Sequence, residues 1–421
     1  MAMMRRSAVI MMMCAGCWAA ALAPVRAAPQ VSPPIGISAG DDAVLPLDTR
    51  RLLFDEVWHT VQRRYVYADF RGVDWTQLYV EYAPRIEQES DRVRFYALLT
   101  ELVARLNDGH SRFVPPVDAV LADDVAGGNA SGLAIGALLV QHTDGVFVRL
   151  VYPQSPAERA GLRPRDRIVA VDGHGDRRAL GRSLEGKVGD SVRLTVARPG
   201  DSRLRDVVVT YDAFVPTAGP TARWYAGDVV WLTLPTLWVT DLGEQLRLAF
   251  GELFRQRAPR AIVLDLRGNR GGWSAGLVEL LGSFVRGQVG SFYGRDSQRL
   301  LMITGDDGPD LRGLPLVVLV DSATASYAEV LAAVLQREAG ATVIGVPSSG
   351  NTETIYAYTL FDGSRLWLAQ ERFELRDGRD LEGVGVVPDV AVASAADDWI
   401  RFDDRTDPYT VAVSQVLGLA P

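Results

Sequence analysis

Three short, largely apolar runs leave the rear half of this chain few ways to fold. Ala261–Leu266 reads Ala-Ile-Val-Leu-Asp-Leu, Leu314–Val320 is almost wholly apolar, and Thr342–Val346 ends the series. Runs this short, without polar alternation, predict strands buried on both faces. A strand over 229–234, a helix from Asp241 to Gln256, a helical stretch to about Val285 and a helix from Ser326 to Arg337 fall between and around them. Strands alternating with helices predict an α/β domain with a largely parallel core. With 421 residues the chain exceeds what one core organises, so further domains are expected.

Ahead of that block the period changes twice. Asp48 is placed to cap a helix in which Phe54, Trp58, Val61 and Tyr65 share one apolar face. Asp91 opens a second helix carrying Phe95, Leu98, Leu99, Leu102, Val103 and Leu106. That helix stops at Asn107-Asp108-Gly109, which puts His110 just past its end. From Ser131 to about Tyr211 the pattern turns to short β-rich runs, among them Leu138–Val140, Val146–Val151, Ile168–Val171 and Val192–Ala197.

The two ends of the chain and its charge bound the chemistry. Arg5 and Arg6, the apolar run Ala8–Ala23 and the small-residue site Val25-Arg26-Ala27 read as a secretory signal, predicting a periplasmic or secreted protein. The run of about 16 residues is shorter than the ~20 of a spanning helix. Membrane association is expected only if this segment is retained or Cys17 is lipidated. Cys14 and Cys17 are the only cysteines, so cleavage after Ala27 removes thiol catalysis and cysteine-ligated metal from consideration. It also removes three arginines, taking the formal charge from −8 to −11, and such a balance argues against a nucleic-acid partner.

The segment Leu319-Val320-Asp321-Ser322-Ala323-Thr324-Ala325-Ser326 ends a buried strand, turns sharply on small residues and begins a helix at a serine. A hydroxyl there lies beside helix N–H groups whose partial positive charge favours a developing oxyanion. Taken alone, Ser326 would read as an N-cap and Gly271-Gly272 as a turn. No His-Glu-x-x-His motif or phosphate-binding loop is present, so no metal or nucleotide cofactor is expected.

Two resemblances change those readings. Ser155-Pro156-Ala157-Glu158-Arg159-Ala160-Gly161-Leu162, followed by Asp166–Gly173, resembles a PDZ domain of the bacterial protease type, with Arg165 where that family has glycine. The resemblance implies a peptide-tail site at Gly132, Leu133, Ala134 and Ile135. Asp265–Gly272, Thr324–Glu329 and Glu382–Asp389 occur in the order and spacing of the C-terminal processing (tail-specific) serine peptidases, which include tricorn-like and nisin-resistance-type members. That resemblance implies a ClpP/crotonase-like peptidase domain, Ser326 as nucleophile and the backbone N–H groups of Gly272 and Tyr327 as the oxyanion hole.

Most relatives pair the serine with a lysine, but this chain has Asn351 at that place, and its single lysine, Lys187, lies in the PDZ region. Another base is needed. Asn107-Asp108-Gly109-His110-Ser111 is similar to the motif of relatives with a Ser–His arrangement, whereas His59, His142 and His174 fall on a helix, a PDZ strand and a turn. Glu329 and Glu382 both match acidic positions of the family and are alternatives for orienting the imidazole, and Asn351 is a candidate for positioning substrate.

The expected architecture is a multidomain α/β protein: signal 1–27, leader 28–47, helical N-terminal region 48–125, PDZ domain 128–212, peptidase domain 222–395 and C-terminal tail 396–421. The expected function is an exported serine endopeptidase acting on polypeptides, some through their C-termini. The rival is a catalytically inactive member that binds peptides or a hydrophobic ligand.

Overall fold

Residue patterning in the front part builds helices and a short strand before the chain enters a β-rich domain. The computed structural model describes residues 44–116, 118–119, 135–142, 145–152, 155–175, 189–212, 219–239, 241–305, 308–392 and 407–419. The signal segment, the leader up to residue 43, Gly132, Leu133, Ala134 and Lys187 lie outside the described residues. Helix α1 (Leu47–Arg64) begins at Pro46, whose φ of −56° presets the first turn, so Asp48 lies inside that turn rather than capping it. It still places a negative charge at the positive helix end.

A helix not singled out by periodicity, α2 (Trp75–Gln88), stands before α3 (Arg92–Ala104). Asp74 and Asp91 cap these two through their carboxylates. Buried Arg50 ties α1 to the end of α2, donating to the carbonyls of Ile86, Glu87 and Glu89 at 2.6, 2.7 and 2.9 Å. Arg50→Ala strips donors from three partly buried carbonyls and is expected to cost about 2–3 kcal/mol, read from urea unfolding. An unchanged midpoint would mean that water replaces the guanidinium.

After β1 (Arg112–Val114) comes a five-stranded antiparallel sheet of β2 (Ala137–His142), β3 (Gly145–Val151), β4 (Arg167–Val171), β5 (Ser191–Ala197) and β6 (Leu204–Thr210), in that order. Helix α4 (Pro156–Arg159) follows β3 and is capped by Ser155. Val148, Leu194, Val196 and Val209 form the centre of its core. Arg165 has φ +73°, so the turn keeps the left-handed backbone that glycine would adopt, at a cost of about 1 kcal/mol. Its guanidinium lies 3.9 Å from Asp407 of the rear domain.

The rear domain runs β7 (Thr221–Tyr225), β8 (Val229–Thr233), α5 (Leu242–Gln256), β9 (Ala261–Asp265), α6 (Ser274–Gly282), β10 (Gly287–Tyr293), β11 (Gln298–Ile303), β12 (Leu316–Val320), α7 (Tyr327–Glu338), β13 (Thr342–Gly345), β14 (Thr354–Thr359), β15 (Arg365–Leu375), β16 (Val390–Ala391) and α8 (Pro408–Val416). One sheet has the order β16-β13-β12-β9-β8-β7, parallel except between β7 and β8. β7 begins at Thr221, so the chain enters the sheet one residue before the expected start of the peptidase domain at 222. Val230, Leu232, Ile262, Leu264, Val318 and Val320 face the core under α5, α6 and α7. The intervening Val229, Trp231, Val263, Val317 and Leu319 face a second core closed by α8. Both faces are thus buried, as the largely apolar runs require. Within the C-terminal tail, α8 packs on the sheet, with the Tyr409 hydroxyl donating to the Val320 carbonyl at 3.1 Å.

A second, antiparallel sheet was not anticipated. It orders β1-β15-β10-β11, with β14 also on β15. β1 of the helical part pairs Arg112, Phe113 and Val114 with Trp367, Leu366 and Arg365 of β15. Leu366 and Leu368 pack into the front helical core, while Phe373 and Leu375 of the same strand enter the rear core. This shared strand carries the end of α3 up to the rear domain.

Candidate active site

The turn from β12 to α7 is built by Asp321. Its Oδ1 accepts from the N–H groups of Gly268, Ala323 and Thr324 at 2.9, 3.1 and 3.0 Å, and Thr324 Oγ1 donates onward to the Leu266 carbonyl at 2.9 Å. The turn after β12 is thereby fastened to the loop after β9. Ser326 follows with φ 58° and ψ −136°, a backbone region costing about 1–3 kcal/mol for a residue with a Cβ. Surrounding bonds hold it there: its N–H donates to the Asn351 carbonyl at 2.7 Å and to Glu329 Oε2 at 3.0 Å. The hydroxyl begins a helix whose first N–H groups point its way.

The glycine loop is shaped by Asn269, fully buried, whose Nδ2 donates to the Leu234 carbonyl at 2.8 Å and whose Oδ1 accepts the Gly271 N–H at 2.8 Å. Leu237 N–H donates to the Gly271 carbonyl at 2.9 Å and Trp273 N–H to the Leu237 carbonyl at 3.0 Å. This bridge uses the groups on either side of Gly272 and leaves the Gly272 N–H on the opposite edge. A Cβ on Gly271 would stand 2.7 Å from Ser326 Cβ and 3.0 Å from both Ser326 Oγ and the Tyr327 nitrogen, so only glycine lets the loop approach the serine. Trp273 and Trp238 stack edge to face at 4.6 Å beside it, with Trp273 partly exposed.

Loop 347–352 is organised by two glutamates. Glu329 is buried, with Oε1 accepting from Ser348 Oγ at 2.6 Å and Gly350 N–H at 2.7 Å, and Oε2 from Asn351 N–H as well as Ser326. Burial pushes its carboxyl above the usual range, and these donors pull it back. Glu382 Oε2 takes Thr352 N–H at 2.8 Å and its hydroxyl at 3.2 Å. Burial raises this carboxyl too.

His110 arrives from the front part. Asp108 forms the turn after α3, accepting from the N–H groups of His110 and Ser111 at 2.9 and 2.6 Å and from the Ser111 hydroxyl at 2.6 Å. Ser111 Oγ in turn accepts the Ala369 N–H of β15 at 3.1 Å. Gly109, with φ +74°, brings the backbone close enough that a Cβ would meet Asn351 Nδ2 at 3.3 Å. The imidazole is buried and lies against Asn351. Burial holds its pKa below the ordinary 6.5, against the upward pull of the Asn351 backbone and Asp108. A neutral imidazole can accept a proton.

Ser326, Tyr327, Gly272, Glu329, Asn351 and His110 thus converge, and Glu382 reaches the same loop from the far side. Ile135 is instead buried in the PDZ core, its carbonyl accepting Ala157 N–H at 2.8 Å. No hydrogen bond joins Ser326 Oγ to the imidazole; the Ser326 N–H and the imidazole both engage Asn351. Glu353, which sequence reasoning missed, lies with Oε2 3.7 Å from His110 Nε2. The only hint was an acidic residue at the start of a strand, in Asn351-Thr352-Glu353-Thr354. Among the described residues no cluster of three or more His, Cys, Asp and Glu could hold a metal ion.

Comparison with known proteins agrees with this architecture. Residues 228–392 match the model of peptidase family S41, residues 46–104 the tricorn protease C1 domain and residues 147–198 a PDZ domain. The carboxyl-terminal-processing protease of Picosynechococcus sp. is 28% identical over 382 residues, covering 89% of this chain and 91% of that protein. The chloroplastic C-terminal processing peptidase of Tetradesmus obliquus is 30% identical over 375 residues, covering 83% and 79%. Among solved structures, the photosystem II D1 C-terminal processing protease superposes with a TM-score of 0.56 and 26% identity, over 86% of this chain and 99% of that one.

Fold and relatives together define a serine-type peptidase, a hydrolase that carries a PDZ domain and takes polypeptide substrates. The chain belongs to the C-terminal processing peptidases of family S41.

Proposed function

We propose that this peptidase is exported and cleaves unstructured polypeptide by acyl transfer through Ser326, with His110 as general base. The observation that carries the reading is Asn351: its carbonyl holds Ser326 N–H at 2.7 Å while the His110 imidazole lies against it, where relatives of the Ser–Lys kind carry a lysine. A turn of the imidazole toward the hydroxyl completes the pair. Ser326 Oγ attacks the scissile carbonyl as His110 takes its proton, the N–H groups of Gly272 and Tyr327 hold the oxyanion, and His110 returns the proton to the leaving amine. Water then releases the acyl group by the same route.

Glu329 and Glu382 hold the 347–352 loop that sets Asn351 against both the Ser326 N–H and the His110 imidazole. The PDZ domain takes a substrate's C-terminal tail at Gly132–Ile135, and the signal segment at 1–27 directs the protein out of the cytoplasm. A fluorophosphonate probe tests the reading. The wild type is expected to be labelled once, at Ser326, and Ser326→Ala not at all. A folded wild type that binds peptides yet never reacts would make it a binding protein.

A further inference from the structure

We propose that Glu353 is the carboxyl partner of the His110 imidazole, held in place by Tyr67 and Arg71 of the front helical part. This rests on His110 being the base. Glu353 Oε2 and His110 Nε2 face each other at 3.7 Å, both atoms are buried, and neither has a hydrogen-bond partner among the described residues. Two such atoms left facing each other are costly unless the molecule uses them. The two glutamates that match family positions are otherwise engaged. Glu329 is filled by four donors and Glu382 by Thr352.

The far side of Glu353 is built as a seat. Oε1 accepts the Tyr67 hydroxyl at 3.1 Å and faces Arg71 Nη1 at 3.5 Å. Arg71 also stands 4.0 Å from Glu382 Oε1. The segment that delivers Arg71 is strained, with Phe70 and Arg71 at φ 51° and 57°. It is pinned by the stacking of Phe70 between Tyr65 and Trp75. Strain kept in place by packing marks sites where geometry matters.

In the reaction the Ser326 O–H bond breaks, an Oγ–C bond forms at the substrate carbonyl, and the proton joins the imidazole. The imidazolium then faces Glu353 through its other nitrogen. An ionised Glu353 stabilises that cation, while a protonated one cannot. The groups facing Glu353 are Tyr67 and Arg71 from the front, Asp108 and His110 from the turn after α3, and Glu382 from the closing loop. Burial, then the like charges of Glu382 and Asp108, push Glu353 up to about 8, against Tyr67 and Arg71, which pull it down. Below that pH it is a neutral acid, and above it a carboxylate.

The experiment is the pH profile of kcat/KM on a quenched fluorescent peptide. In the wild type it is expected to rise through about pH 8. In Glu353→Gln that rise disappears, leaving only the limb of His110 below 6.5. At pH 9 its kcat is lower by about ten- to a hundredfold with KM little changed, and near pH 6 the two enzymes converge. Tyr67→Phe, a gentle change that keeps the ring, removes a donor that lowers Glu353 and moves the wild-type rise to higher pH. A profile unchanged in both variants, or a loss equal at every pH, overturns the proposal. Should His110→Ala prove fully active, the base assignment falls instead, a different failure read from a different variant.

Discussion

His110→Ala lowers kcat/KM by about 10²- to 10⁴-fold, the range for removing a general base, while the fluorophosphonate adduct at Ser326 forms slowly if at all. The effect is expected in kcat rather than KM, because a base proposed to act on the Ser326 hydroxyl does not engage the substrate's distant residues. The fold should survive, since the turn that carries His110 is held by the Asp108 carboxylate and the Ser111 hydroxyl rather than by the ring. Ser326→Ala combined with His110→Ala should cost no more than Ser326→Ala alone, as expected for groups acting as one unit. Full peptidase activity in His110→Ala would end the histidine assignment.

The reach of sequence reasoning tracks the range of the forces involved. Largely apolar runs at Ala261–Leu266 and Leu314–Val320 announced strands buried on both faces because burial is encoded locally, residue by residue. Position 165 shows a resemblance surviving a substitution: an arginine stands where relatives have glycine, and the backbone keeps φ +73°. The antiparallel sheet escaped notice because pairing between Phe113 and Leu366 spans most of the chain and leaves no periodic mark. Helix α2 carries its buried Trp75, Leu78, Tyr82 and Ile86 at helical spacing, yet Pro84 inside it argues against a helix when read alone.

Glu353 illustrates the same limit at the site. Motif matching points to acidic positions that hold loops together, and Glu329 and Glu382 do hold one. The carboxyl nearest the imidazole is brought there by Tyr67 and Arg71, contributed by a segment distant in sequence. Only a tertiary contact distinguishes it from any other glutamate at a strand end.

Gly272→Ala is expected to lower kcat by about 10²- to 10³-fold, the cost of losing one oxyanion donor. The methyl group has nowhere to go. Its Cβ would stand 2.2 Å from the Leu237 carbonyl carbon and 2.3 Å from the Trp238 nitrogen, both backbone atoms that no rotamer change can move aside. The backbone φ of +153° is also one that alanine resists. Relief therefore requires breaking the bridge in which Leu237 N–H meets the Gly271 carbonyl and Trp273 N–H meets the Leu237 carbonyl. That swings the Gly272 N–H away from Ser326 while leaving Ser326, His110 and their own bonds in place. Binding of a peptide boronate, which places a negative oxygen in the hole, should weaken in parallel with kcat, whereas KM for the peptide changes little. Gly251→Ala on α5, where a Cβ meets nothing within 4 Å, is the matched control and should be neutral or slightly stabilising. Equal kcat in Gly272→Ala and wild type would place the oxyanion elsewhere and remove Gly272 from the mechanism.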